Sequence, residues 1–192
     1  MPESGLAGHC GPAGSDYGMT IAEVIDSFEY NRWAHERILD SASELGADNY
    51  DRDTGGSYPS LRATLEHLLA CEVVWLSRWE GHSLGEPPEY SGCRDAGALR
   101  SIWASFWQRQ FRFLNDLAED DLSQLVAIRT RNGIEAVQTL RDTLAHVVLH
   151  SSYHRGQAAS QIRKLGGKPA GTDYFLYCLA RDSGEPMAED IP

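Results

Sequence analysis

Hydrophobic residues recur every three or four positions over four long stretches of the chain, which is the spacing of one face of an α-helix. The first stretch opens with Thr20 and Glu23 and the last with Thr139 and Asp142, pairs that fit the capping-box pattern of a helix start. The pattern therefore predicts an all-α fold, a four-helix bundle. The predicted helices span residues 20 to about 45, 60 to 80, 95 to about 118, and 139 to about 165.

The segments between and around these helices have a different composition. Residues 125–139 hold Asn132-Gly133 between two β-prone runs, which predicts a small β-hairpin before the fourth helix. Residues 81–94 are rich in glycine and proline and predict a long connection. We expect a disordered extension over 1–18, a bundle domain over 19–182 and a flexible acidic tail over 183–192. His9 and Cys10 in the extension could contact a metal, but a disordered extension is the interpretation that we favour.

The charge balance narrows the choice of partners. The chain carries 17 basic and 28 acidic residues, a net charge of −11, so we expect neither nucleic acid nor a membrane as partner. No apolar run approaches the roughly 18 residues that span a bilayer. The four cysteines form no CxxC pair, which favours a reducing, cytoplasmic location.

Three of the seven histidines, His146, His150 and His154, are spaced four apart in the fourth predicted helix. At about 100° per residue they form one stripe, and we interpret the opposite side of the helix as the solvent face. Imidazoles that border an interior need partners, because each unpaired one costs on the order of 1 to 3 kcal/mol, and a metal ion is a suitable partner. The predicted solvent face consists of Arg141, Ser152, Arg155, Ala159 and Arg163.

Two further histidines lie on predicted inner faces of other helices. His35 shares a helix face with Phe28, and we predict that it is a core histidine whose ring nitrogens are hydrogen-bonded. His67 lies with Cys71 on a second stripe of helix two. Cys71 could replace a ligand, but we interpret it as a plain buried thiol, because free cysteine behaves mostly as a small hydrophobe.

Several of these motifs resemble the DinB/YfiT-like family of metalloenzymes. The string HSSYHRGQ, the earlier LEHLLACE with its following Trp75, and YNRWA in helix one match in the expected order. The resemblance implies a four-helix bundle with up-down-down-up topology and a divalent metal held by His67, His150 and His154. It makes His146, Gln157, Glu72 and His35 candidates for the surroundings of the ion. Glu72 either orients a ligand histidine or forms a structural salt bridge.

Three histidine ligands leave open positions on an ion, as in catalytic sites. The reaction that we favour is thiol S-transfer to a small electrophile, with a low-molecular-weight thiol as second cofactor. The alternatives are a hydrolase that uses metal-bound water and a non-catalytic metal-binding bundle. Zinc or nickel is expected first, and iron or manganese are the alternatives.

A homodimer is expected because helix two is apolar on more than one side and helix three is rich in aromatic residues. These aromatic residues are Trp103, Phe106, Trp107, Phe111 and Phe113.

Overall fold

A computed structural model describes residues 19–82, 87–90, 92–129, 133 and 135–183. The predicted extension 1–18 with His9 and Cys10, the hairpin residue Asn132 and residues 184–192 lie outside this range. The described part is mostly helical and contains one small antiparallel sheet. The helices are α1 Ile21–Ser43, α2 Ala47–Tyr50, α3 Leu61–Trp79, α4 Ala96–Asn115, α5 Leu140–Lys164 and α6 Tyr174–Ser183, with a 3₁₀ turn at Glu119–Ser123; the strands are β1 Leu125–Arg129 and β2 Glu135–Thr139.

The four predicted helices are confirmed as α1, α3, α4 and α5. Each begins directly after a residue whose side chain accepts a hydrogen bond from a backbone N–H three positions on: Thr20, Ser60, Asp95 and Thr139. Each such cap stabilises a helix by about 1 kcal/mol, because it satisfies a backbone donor that the helix leaves free. The sequence therefore specifies the helix starts locally.

The long helices pack pairwise around a shared core. Helix α1 packs against α4 and α5, and α3 also packs against α4 and α5. The side chains between them are almost fully buried, among them Leu65 of α3, Trp103 of α4 and Ile162 of α5. This packing places α3 beside α5. The up-down-down-up direction of the four helices stays a prediction.

The predicted hairpin is confirmed as an antiparallel pair of strands in which Leu125 lies opposite Thr139 and Arg129 opposite Glu135. Gly133 has a φ of +78°, a left-handed conformation that glycine adopts without strain. Thr139 is both the last residue of β2 and the N-cap of α5, so no linker separates the hairpin from the helix.

Helix α6 was not predicted from the sequence. It packs against α1 and is hydrogen-bonded to Asp26 of that helix. The carboxylate of Asp26 accepts hydrogen bonds from the hydroxyls of Tyr174 and Tyr177, at 3.0 Å each, and from Arg181. Tyr30 of α1 packs edge-on against the rings of both tyrosines. These contacts join residues more than 140 positions apart, so no local sequence pattern reports them.

Three of the five aromatic residues of α4 on which the dimer prediction rests are buried within the single chain: Trp103, Phe106 and Trp107 are at most 7% exposed. Phe111 and Phe113 are half-buried, so less aromatic surface is left for a partner chain than the sequence indicates. Across the described residues, none of the helices combines the length and the apolar character needed to cross a bilayer.

Candidate metal centre

Helix α5 brings His150 and His154 together. Because residues four apart lie on one face of a helix, the two rings project in nearly the same direction, and their Nε2 atoms are 3.1 Å apart. His154 is 6% exposed and His150 is half-buried. The stripe predicted from the sequence therefore does border the interior.

Helix α3 supplies the third histidine. One ring nitrogen from each of His67, His150 and His154 lies within 4.8 Å of the other two, and among the described residues these three form the one group with metal-ligand spacing. The pairing of α3 with α5 produces this convergence, since His67 is more than 80 positions from the other two. Three imidazoles form a donor set that suits zinc, nickel, copper or iron, so these residues fit a divalent transition metal.

The protonation states also suit a metal. Burial, followed by the neighbouring His154 and His146, lowers the pKa of His150 to about 4. Burial likewise lowers the pKa of His154, although its bond to Gln157 opposes the shift. The rings are therefore neutral near pH 7, and only a neutral imidazole offers the lone pair that binds a metal.

Gln157 selects which nitrogen of His154 faces the centre. Its Oε1 lies 2.7 Å from Nδ1 of His154, and because an amide oxygen only accepts, Nδ1 carries the proton. Nε2 of His154 is then the atom with a free lone pair, and it points towards His150. Such a partner fixes both the tautomer and the orientation of a ligand ring.

His146 lies beside the three converging histidines but is not one of them. Its ring centre is 5.6 Å from that of His150 and 5.2 Å from that of Trp75 on α3, and the residue is exposed. The packing of its ring against its neighbours removes part of its solvent, and this partial burial lowers its pKa. It extends the line of imidazoles towards the surface.

Two tyrosines that the sequence did not single out surround the histidines. Tyr58, from the loop before α3, stacks on His67 with ring centres 4.4 Å apart and meets His154 edge-on at 5.7 Å. Tyr153 packs edge-on against His154 at 5.2 Å while 67% of its surface is exposed. No sequence pattern around Tyr58 predicts these contacts, because they depend on how the loop packs against α3 and α5 in the tertiary structure.

Cys71 is half-buried rather than fully buried. Its Sγ lies 3.4 Å from Nε2 of His67, one turn earlier on the same helix. The thiol therefore contacts one of the three converging histidines, which we call the histidine triad.

Glu72 and His35 belong to a separate, fully buried cluster. Oε1 of Glu72 accepts hydrogen bonds from Nε2 of His35 at 2.9 Å, Nδ2 of Asn31 at 2.8 Å and Oγ of Ser151 at 2.7 Å. Oε2 accepts from Nε2 of Gln110 at 3.0 Å. Burial opposes ionisation of Glu72, but the interaction with His35 and the hydrogen bonds from Ser151 and Gln110 outweigh it and lower the pKa of the carboxyl. His35, stacked near Trp103, has its pKa lowered by burial and donates as a neutral ring.

The solvent-face prediction was wrong for Arg155. This residue is 1% exposed, its Nη1 donates to Oδ1 of Asn31, and its guanidinium lies 5.2 Å from the ring centre of Tyr30. The partners that bury it lie on α1, more than 120 positions away. A helical wheel places an arginine on the solvent-exposed face, because the wheel contains no information on partners that are distant in the sequence.

Comparisons with known proteins identify the family of the chain and agree with its fold. The family model described as the DinB family matches residues 19–186. Protein DinB of Bacillus subtilis (strain 168) is 26% identical over 157 residues, which cover 78% of this chain and 90% of that protein. The crystal structure of a DinB-like protein from Bacillus cereus ATCC 10987 superposes with a TM-score of 0.58 at 18% identity, covering 80% of this chain and 97% of the other. That likeness shows a shared fold.

Proposed function

Because the chain belongs to the DinB family, we propose that it binds one divalent transition metal through His67, His150 and His154 and catalyses thiol S-transfer to small electrophiles. The observation that carries the proposal is the convergence of three imidazole nitrogens within 4.8 Å. Three protein ligands leave positions on the ion for a thiol. Zinc and nickel are the first candidates, and the reaction belongs in the cytoplasm, where small thiols stay reduced.

A metal held by these histidines would lower the pKa of a thiol that binds it, so that the thiol would be deprotonated at neutral pH. The residues of the chain then bind and orient. Gln157 holds the Nδ1 proton of His154, and His146 lies next to the site with its neutral ring able to accept or donate a hydrogen bond. The thiolate sulfur would attack the electrophilic carbon and form a carbon–sulfur bond. The leaving group would depart with the electron pair of the bond that breaks, and the proton of the thiol would pass to solvent.

The thiol route is favoured over hydrolysis because the two candidate bases are already engaged. The carboxylate of Glu72 accepts four hydrogen bonds inside the protein. Glu66 pairs with Nη1 of Arg62 at 3.2 Å. A base beside the water assists a hydrolase, whereas a thiol is more acidic than water and needs less assistance to ionise on a metal.

The test uses cobalt-substituted protein. Addition of 2-mercaptoethanol, cysteine or glutathione is expected to produce a sulfur-to-cobalt charge-transfer band, and consumption of 1-chloro-2,4-dinitrobenzene should release chloride and form the thioether. The His150→Ala variant, with the same thiols and cobalt, gives the background. Turnover of ester or amide substrates without any thiol band would replace this proposal with the hydrolase. Metal binding with neither band nor turnover would favour the non-catalytic bundle.

A further inference from the structure

Glu72 of α3 is connected to α5 at the residue that directly follows the ligand His150. That residue, Ser151, is 0% exposed and donates from Oγ to Oε1 of Glu72 at 2.7 Å. Neighbouring residues on a helix point about 100° apart, so a fixed direction for one determines the direction of the other. The hydrogen bond of Ser151 therefore constrains the direction in which the side chain of His150 leaves the helix.

The same carboxylate is connected to α5 a second time, at the residue that follows the ligand His154. That residue is Arg155, whose Nη1 donates to Oδ1 of Asn31. Nδ2 of Asn31 in turn donates to Oε1 of Glu72 at 2.8 Å. The pair of ligands on α5 is thus matched by a pair of anchored residues with the same spacing of four, one position further along.

Burial makes these connections specific. Glu72, Arg155 and Asn31 are each 1% exposed, so any rotation of α5 that broke their hydrogen bonds would leave charged or polar atoms unpaired in the interior. Buried groups without partners are costly, so the arrangement of the helices that keeps these hydrogen bonds is favoured over one that breaks them. The cluster therefore favours the rotation of α5 that keeps both connections to Glu72.

We infer that Glu72 is a positioning residue of the metal centre: through Ser151 and through Asn31 and Arg155, it sets the rotation of α5 about its axis. His67 and Glu72 both lie on α3, so the third ligand and the positioning residue belong to one helix. The distance from His67 to the two histidines of α5 then depends on contacts that involve no ligand atom. This inference rests on the proposed metal site.

Ser151→Ala is the first test, because it removes one hydrogen bond and leaves the charge of Glu72 in place. Zinc affinity, measured by competition with a chromophoric chelator, is expected to fall roughly tenfold, the effect typical of lost outer partners. The absorption spectrum of the cobalt form should also change, because the ligand geometry is altered. The matched control is Ser41→Ala, since Ser41 is 5% exposed and hydrogen-bonded to Arg37 and Ala170 away from the histidines. It should lower the melting temperature but leave zinc affinity and the cobalt spectrum unchanged.

Glu72→Gln and the double variant with Ser151→Ala show whether Ser151 acts through Glu72. If it does, the double variant loses no more zinc affinity than Glu72→Gln alone, because partners in one network are not additive. Full additivity, or wild-type zinc affinity in Ser151→Ala, overturns the inference and leaves the triad standing. Wild-type protein that binds no zinc overturns the proposed function and this inference with it.

Discussion

Nε2 of His150 lies 3.1 Å from Nε2 of His154, close to the separation of two nitrogen ligands that share an ion at about 2.0–2.1 Å from each. The two rings thus already have the spacing that a bound metal requires. Little rearrangement of α5 is needed on binding, so the centre is preorganised by the helix itself.

Metal content follows from this preorganisation. Protein purified without chelators should contain close to one transition metal per chain by elemental analysis, and His150→Ala should lose it because two imidazoles hold an ion far less well than three. His82→Ala is the control, since the side chain of His82 is 70% exposed. Full metal content in His150→Ala would reject the assignment of the ligands.

Gln157 should contribute to affinity without touching the metal. Gln157→Leu removes the acceptor that holds the proton on Nδ1 of His154, so zinc affinity should fall roughly tenfold by calorimetric titration. The exposed strand residue Gln138, changed to leucine, is the control. Equal affinities for the two variants would mean that the tautomer of His154 is set in another way.

Acid should destabilise the metal-free protein. Burial lowers the pKa of His35 below the ordinary 6.5, so the unfolded chain binds more protons than the folded one as the pH falls through 6.5, and stability is lost in that direction. His35 alone contributes at most about 1.4 kcal/mol for each pH unit below that value. The pKa of His150, lowered to about 4, acts with the same sign.

The measurement is urea unfolding of chelator-treated protein at several pH values between 7.5 and 5.5. His35→Gln, which keeps a donor to Glu72, should show a weaker pH dependence, and His82→Ala should behave as the wild type. Stability that is constant or rises on acidification would contradict the neutral, buried state of His35.

Helix α6 should depend on one carboxylate. Asp26→Ala removes the acceptor of two tyrosine hydroxyls and the partner of Arg181, so amide hydrogen exchange should speed up across Tyr174–Ser183 while α5 stays protected. Asp182→Ala, which removes only the exposed partner of Arg181, should change little. Unchanged exchange in α6 after Asp26→Ala would show that its ring packing suffices.

A homodimer remains a prediction, on grounds that differ from the aromatic content of α4. Large apolar side chains stay exposed on α5, where Leu149 is 70% and Tyr153 67% accessible. Light scattering should give about twice the 21.3 kDa mass of the chain. A mass near 21.3 kDa at every concentration tested would reject the dimer.

Features that depend on nearby residues were predictable. The caps at Thr20 and Thr139 join residues three apart, and the histidine stripe joins residues four apart, so both are visible as sequence spacing. His67 was different: its helix offered it only as a candidate, and the family resemblance placed it with His150 and His154.

Features that depend on distant partners were not predictable. The burial of Arg155 requires Asn31, and the docking of α6 requires Asp26, both more than 120 positions away in the chain. Tyr58 reaches His67 and His154 only because the loop before α3 folds back over both helices. In each case an ordinary residue type gains its role from a contact that a single sequence does not display.

The matched spacing on α5 limits how the length of the chain can change. One residue inserted between His150 and His154 would turn every later side chain by about 100°, so His154 would leave the triad and Arg155 would leave Asn31 in the same event. A substitution can remove His154 or Arg155 alone, but a one-residue insertion or deletion in this segment displaces both. Homologues that keep the site should therefore vary in length within loops and never between these two histidines.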